Sequence, residues 1–307
     1  MATLGIQSAP TPTLEALSQA RTRAALIPDL LVEAQRIAAT VAVGWHGRRM
    51  RGSGENFWQF RPYVNGEPSG QIDWRRSARD DHSYVREKEW DAAHTFWLWA
   101  DPSKSMLFRS SGVSISKDSR ALLIAFALAD LLSRSGERIA WPGVATPFAS
   151  RDGATKLGLR LASASASETD ALPDFANIKR FSDVVIISDF AEEPEDILKM
   201  LQPLFARGIR GHLVEVIDPV EEDFPYAGRK DFFDPETGTR IAAGRAQTVA
   251  TEYRAAFQAR RETLNAAAKQ HGWSYTISRT DKPVTATLLT LHTAFSAAGV
   301  SGNGAAL

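Results

Sequence analysis

The sequence predicts an α/β fold: a central, mostly parallel sheet flanked by helices, preceded by a strand-and-loop extension. Three observations carry this. Phe96 to Ala100 form a short apolar run that stops at Asp101-Pro102-Ser103-Lys104-Ser105. A run of that length, rich in aromatics and bounded by a polar turn, reads as a buried strand. A helical pattern from Ser119 to Ser133 follows it, completing a first strand–helix step. Further on, SDVVIISD (Ser182 to Asp189) sets four β-branched residues in a row, Val184 to Ile187, as in a strand covered on both faces.

Composition narrows the function classes. At 307 residues the chain can build one large domain or two modest ones. It is 44% hydrophobic and 23% charged, ordinary for a soluble globular protein. Lys+Arg and Asp+Glu are both 36, so no global charge draws it to nucleic acid. Cysteine is absent, which rules out disulfides, thiolate metal sites and a cysteine nucleophile. That suits a reducing compartment, and a cytoplasmic protein is expected. The first residues carry neither a basic region nor an apolar run of the secretory kind. The longest apolar segment, Ala121 to Leu132, contains Asp130 and is too short to span a bilayer, so no membrane span is expected.

Taken in order, residues 1–43 read as a loose tail to about Pro12 and then helix from Leu14 to Val43, broken near Pro28. Residues 44–91 form the extension, with four of the eight Trp and Gly-rich turns between short aromatic runs. Between Gly44 and Trp90, eight Arg and one Lys meet seven acids, leaving only +2. A phosphate-tracking surface needs uncompensated charge, so no nucleic-acid partner is expected. Arg–carboxylate pairs and Arg–aromatic stacks holding an irregular segment together are the simpler reading, with an interaction surface as an addition.

Residues 92–298 are the α/β domain. After the first strand–helix step, Glu137 to Val144 reads as a strand that Pro142 limits. Gly153-Ala154-Thr155 opens a helix, and Ser163 to Thr169 is a low-complexity loop. The Ser182–Asp189 strand leads to a helix from Pro194 to Arg207, and then to a strand from Gly211 to Asp218 in which lone His212 reads as structural. A hairpin insertion at 219–245 turns at Glu236-Thr237-Gly238. A long helix from Val249 to Gln270 is closed by Gly272, followed by a strand to Ser278 and a helix from Thr285 to Ala297. Residues 299–307 are expected to be a disordered tail.

In open α/β sheets, ligands sit beyond the carboxyl ends of the strands. Asp101, Ser103 and Ser105 fall there, at i, i+2 and i+4, and in an extended turn they face the same way. One carboxylate and two hydroxyls are hard donors suited to Mg²⁺, with Mn²⁺ or Ca²⁺ as alternatives. Asp189 ends the second strong strand and is placed to face Asp101. If only these two acids carry charge, a bound Mg²⁺ leaves the site neutral and open to an acid from outside.

Asp101-x-Ser103-x-Ser105 resembles the metal-ion-dependent adhesion site of von Willebrand factor type A domains. There, a Thr and an Asp from later loops join the motif, and Thr155 and Asp189 are the corresponding candidates. Thr155 can equally be the cap of its helix. Upstream, GENFWQFRPYVNGEPSGQIDWRRSAR resembles the domain-of-unknown-function 58 family through Phe60, Arg61, Tyr63, Gly66, Ile72, Asp73, Trp74, Ala78 and Arg79. It departs from that family at Gly66-Glu67-Pro68, where an acidic pair usually follows the glycine.

The resemblance implies a Rossmann-like von Willebrand A-type domain behind the extension. It implies a non-enzymatic, Mg²⁺-dependent protein-interaction module, an adaptor or chaperone for a MoxR-type AAA+ ATPase that supplies an acidic ligand. Arg61, Tyr63, Asp73, Trp74, Arg75 and Arg79 would then bind a partner or hold the extension's structure. The alternative is a Mg²⁺-dependent phosphate-ester hydrolase. Such enzymes pair a nucleophilic carboxylate with a second acid two residues on, and here that position is Ser103. GxxxxGK[ST], GxSxG and HExxH are all missing, and the six His show no pair at ligand spacing.

Overall fold

The computed structural model describes residues 14–42, 50–52, 56–64, 67–79, 82–90, 94–164, 175, 177–235 and 238–301. The tail at 1–12, the loop at 165–169, the hairpin tip at 236–237, Gly66 of the family motif and the last residues, 302–307, lie outside them. The chain divides into two compact units, Met1–His46 with His94–Leu307, and Gly47–Ala93.

The larger unit is built on a six-stranded sheet. Its strands are β4 (Thr95–Ala100), β5 (Arg138–Trp141), β6 (Ala145–Phe148), β7 (Ser182–Ser188), β8 (Arg210–Ile217) and β11 (Ser274–Arg279), in the spatial order β11-β8-β7-β4-β5-β6. All pairings are parallel except β5 with β6. The expected mixed α/β architecture with a mostly parallel sheet is therefore what forms. The edge strand β6 has no counterpart in the sequence reading: it is four residues long, contains Pro147 and is half exposed, which leaves little pattern to find.

The chain leaves β4 toward β5 and β6, then crosses back to lay β7 on the other side of β4. The point where the winding reverses thus lies between β4 and β7, where open α/β sheets bind their ligands. Both strands are buried because helices cover both faces. Val184 to Ile187 have no exposed surface, and each such side chain stabilises the fold by about 1.5–3 kcal/mol.

Helix α3 (Lys117–Arg134) starts at Ser116, whose hydroxyl accepts from Ser119 N, and ends before Gly136, which takes a left-handed φ of 82°. It is buried nearly all round because helix α1 (Leu14–Val41) lies against it. Ile27, Ala34, Ile37, Ala38 and Val41 form the buried stripe of α1. The expected break at Pro28 does not occur: α1 runs through it. Packing on either side of the proline, at Ile27 and Ala34, outweighs the single lost hydrogen bond.

Helix α4 (Gly153–Ser163) also packs on α1 and α3. Helix α5 (Pro194–Ala206) joins β7 to β8 and packs with α7 (Ala246–Gln270). A short helix, α6 (Pro219–Asp223), and the antiparallel hairpin of β9 (Lys230–Phe233) and β10 (Arg240–Ala243) lie between β8 and α7. The last helix, α8 (Val284–Ser301), runs past the expected end at Ala297 and into the stretch expected to be disordered.

The smaller unit is a three-stranded antiparallel sheet in the order β1-β3-β2, formed by β1 (Met50–Gly52), β2 (Asn56–Pro62) and β3 (Tyr84–Trp90). The four-residue helix α2 (Trp74–Ser77) sits between β2 and β3 in the chain.

Candidate functional site

Asp101 and Ser188 stand side by side because β4 and β7 pair in parallel with Ala100 opposite Ile187. Asp101 N donates to Ile187 O at 2.9 Å, continuing the ladder one residue past the strand. The carboxylate is held at both oxygens. Oδ1 accepts from Ser103 N at 2.8 Å, and Oδ2 accepts from Ser188 Oγ at 2.6 Å. The first bond is an Asx turn, which folds the Asp-Pro-Ser segment back over the strand end. Ser103 Oγ and Ser105 Oγ come within 3.1 Å of one another. Met106, fully buried in a short 3₁₀ turn, anchors the loop, while Leu107 and Phe108 remain exposed at its rim.

Asp189 follows Ser188 directly. Its Oδ1 accepts from Ala191 N at 3.2 Å. The next residue, Phe190, is buried with a left-handed φ of 48°, uncommon for an aromatic, and this turn brings its N–H to Ser188 Oγ at 3.1 Å. Lys117, from the first turn of α3, places Nζ 2.8 Å from Asp189 Oδ2 and 2.6 Å from Glu221 Oε1. Glu221 belongs to α6, where it forms a capping box with Asp218. Asp218 in turn accepts from Ser110 N at 2.9 Å, tying this corner to the loop after β4. On the other side, Arg23 of α1 pairs with Asp118 at 2.8 Å and reaches the Ala100 carbonyl at 3.2 Å.

The charges are nearly all withdrawn from water: Asp101, Asp118, Lys117 and Asp189 are each at most 6% exposed. Burial pushes the Asp101 carboxyl above the usual range despite its hydrogen bonds from Ser188 and Ser103, and the nearby Asp189 charge adds to the push. Burial likewise raises Asp118 against the pull of Arg23. Burial also works against the charge on Lys117, but Asp189 and Glu221 outweigh it, so its ammonium is held more firmly than an ordinary lysine's. Asp118 and Asp189 thus each have a cation on their carboxylate, whereas the described donors to the Asp101 carboxylate, Ser103 N and Ser188 Oγ, are neutral and Arg23 reaches only its backbone carbonyl, at 3.4 Å.

The donor set suits a hard divalent cation held loosely. Among the described residues, no three Asp, Glu, His or Cys side chains converge as metal ligands would. An ion here would rest on Asp101, the Ser103 and Ser105 hydroxyls and water, with Asp189 close by. That is the habit of Mg²⁺, not of zinc. The surplus negative charge on Asp101 is the feature such an ion would neutralise.

Asp101, Ser103, Ser105 and Asp189 are therefore brought together, but Thr155 is not. Thr155 Oγ1 accepts from Gln35 Nε2 at 3.3 Å. Gln35 lies about 18 Å further along α1 than Arg23, the residue of that helix at the site. Its neighbour Gly153 packs on Ser133, in the last turn of α3, whereas the site lies at the first turn. The α4 start thus sits at the opposite end of the sheet, and Thr155 is corrected from candidate ligand to helix residue.

The residues that the sequence reading passed over are Ser188, Lys117, Glu221, Arg23 and Asp118. Only Ser188 had a signal, its place at the tip of a buried strand. The others lie in helices whose approach to the site depends on packing.

The family model described as "Protein of unknown function DUF58" matches residues 59–264. The chain belongs to the DUF58 family. No curated protein matches it. Among solved structures it is similar to a conserved hypothetical protein BatB from Bacteroides thetaiotaomicron, at 14% identity over 66% of this chain and 98% of that one, with a TM-score of 0.41. It is also similar to an aerotolerance-related membrane protein from Bacteroides fragilis, at 16% identity over 66% of this chain and 99% of that one, with a TM-score of 0.39. Similarity this distant transfers no function. Among the described residues of this DUF58 chain, no helix is long and apolar enough to cross a membrane.

The six residues of the smaller unit expected to bind a partner or hold its structure divide into two groups. Arg61 forks onto Glu67, with Nη1 at 2.9 Å from Oε2, and Tyr63 OH donates to the Glu67 carbonyl at 2.7 Å. Asp73 caps α2 by accepting from Arg76 N at 2.9 Å, and Arg76 lies over the Tyr84 ring at 4.6 Å. These residues hold the unit together. Trp74, Arg75 and Arg79 instead point outward, with Trp74 65% exposed.

Proposed function

We propose that this DUF58 chain is a von Willebrand A-type, Mg²⁺-dependent protein-interaction module without catalytic activity of its own. The observation that carries the reading is Asp101, a buried carboxylate at the reversal point of the sheet. Two hydroxyls and a second carboxylate flank it, and the described donors to its carboxylate oxygens are neutral. Asp101, Ser103 and Ser105 would hold the ion, with Asp189 supporting it through water. Bound there, the ion supplies a site for an acidic side chain from a partner. Ser188 and the Ser103 amide fix the rotamer of Asp101, and the exposed Leu107 and Phe108 give the partner an apolar rim.

The partner we infer is a MoxR-type AAA+ ATPase, with the chain as its adaptor or chaperone in the cytoplasm. Family likeness and the absence of cysteine support this. Hydrolysis of phosphate esters is the weaker alternative, because Ser103 stands where a second acid would be needed and Lys117 already holds Asp189. Calorimetric titration with MgCl₂ tests the reading. Saturable binding that is lost in Asp101→Ala, together with Mg²⁺-dependent capture of the ATPase, is expected. Turnover of a phosphate ester abolished by the same substitution would replace the interaction module with an enzyme.

A further inference from the structure

The same corner holds a feature that a simple cation site does not need. A lysine only 1% exposed reaches in from the first turn of α3 and touches both Asp189 and Glu221. A buried ammonium is costly unless well paired, and one carboxylate would neutralise it. Here it has two, on different elements: Asp189 at the tip of β7, and Glu221 on α6 beyond β8. Asp189 directly follows Ser188, the residue bonded to Asp101, whereas Glu221 follows β8, the strand on the far side of β7 from β4. Lys117 can therefore give up one partner and keep the other.

We propose that Lys117 is a built-in competitor of the divalent cation: its ammonium holds Asp189 in the ion-free form and shifts onto Glu221 when the ion enters. This rests on the metal reading above and adds to it a residue that sets the affinity. The physical reason is that a divalent ion beside Asp101 and an ammonium on Asp189 repel each other in a medium of low dielectric. Removing the ammonium both lifts that repulsion and releases Asp189 as a ligand. Glu221 gives the displaced ammonium a place to go, so that ion entry does not strand a buried charge. Arg23 is not placed for this part, because its described contacts are Asp118 and the Ala100 and Asp101 carbonyls, not Asp189.

The test is calorimetric titration of the full chain with MgCl₂ and MnCl₂, on wild type, Lys117→Met and Lys117→Arg. Lys117→Met is expected to bind at least about tenfold more tightly than wild type, and Lys117→Arg, which keeps the charge, no more tightly. A purely structural lysine would give the opposite, since its loss loosens the site. Equal or weaker binding by Lys117→Met, with wild-type binding intact and dependent on Asp101, overturns the competitor and leaves the metal reading standing. Absence of binding in every variant overturns both.

Should Lys117→Met fail to fold, the wild type itself carries the test. With ¹⁵N-labelled lysine, the slowly exchanging Lys117 ammonium signal, identified by its loss in Lys117→Arg, is expected to move with the calorimetric midpoint. A signal unchanged at saturating Mg²⁺ overturns the proposal.

Discussion

Ser188 Oγ donates to Asp101 Oδ2 across 2.6 Å, joining the tips of two parallel strands that are far apart in sequence. The bond leaves Oδ1 for the Ser103 amide and so decides which way the carboxylate faces. Ser188→Ala removes a hydrogen bond to a charged group, worth about 1.5–3 kcal/mol. Urea unfolding should register that loss, and Mg²⁺ affinity should fall with it because Asp101 is no longer fixed.

Asp101→Asn tests the cost of the site itself. Folding buries this carboxylate against its preference for water and next to Asp189. The amide can keep both hydrogen bonds, accepting from Ser103 N and donating to Ser188 Oγ. In chelator, the variant should therefore melt no lower than wild type. In excess Mg²⁺, only wild type should gain in Tm, by mass action on the folded state. A variant that gains as much as wild type would remove Asp101 from the site.

Thr155→Ala should leave divalent affinity unchanged, since its hydroxyl meets Gln35 at the far end of α1. The stability cost should be about 1 kcal/mol, the value of one hydrogen bond between neutral groups. A marked fall in Mg²⁺ affinity would contradict the placement of α4.

Asp183 governs part of the acid limb of stability. It is fully buried and pairs with Arg210 at 2.7 Å. Burial tends to raise its carboxyl, but the His94 hydrogen bond and the charges of His212, His94 and Arg210 hold it below the usual range. A folded-state value below the unfolded one stabilises above the unfolded pKa of about 3.9 and is lost as pH falls through the folded one. Asp183→Asn should cost about 3 kcal/mol at neutral pH, at the low end for a broken buried pair, because Arg210 is 33% exposed. Urea melts at successively lower pH should show the two proteins converging below about pH 4.

Much of the sheet was legible. Phe96 to Ala100 and Val184 to Ile187 announced two central strands, because a strand covered on both faces must be apolar throughout. The tips of those strands also gave Asp101, Ser103, Ser105 and Asp189. Other elements were hidden. β6 is short, half exposed and carries Pro147, so no periodicity marks it. Pro28 signalled a break that packing prevented, and the tail past Ala297 held no cap to mark how far α8 runs.

The sequence by itself determined which segments are strands and which polar residues end them, since alternation, apolar runs and turn residues are local properties. Only the tertiary structure decided which of those residues meet. Thr155 carries the right chemistry but opens a helix at the opposite end of the sheet from Asp101. Lys117, unmarked in sequence, is delivered to Asp189 because α3 begins where β7 ends. The reason is geometric: neighbours across a doubly wound sheet are set by the order of its strands and the face each helix takes, and neither is written in any one segment.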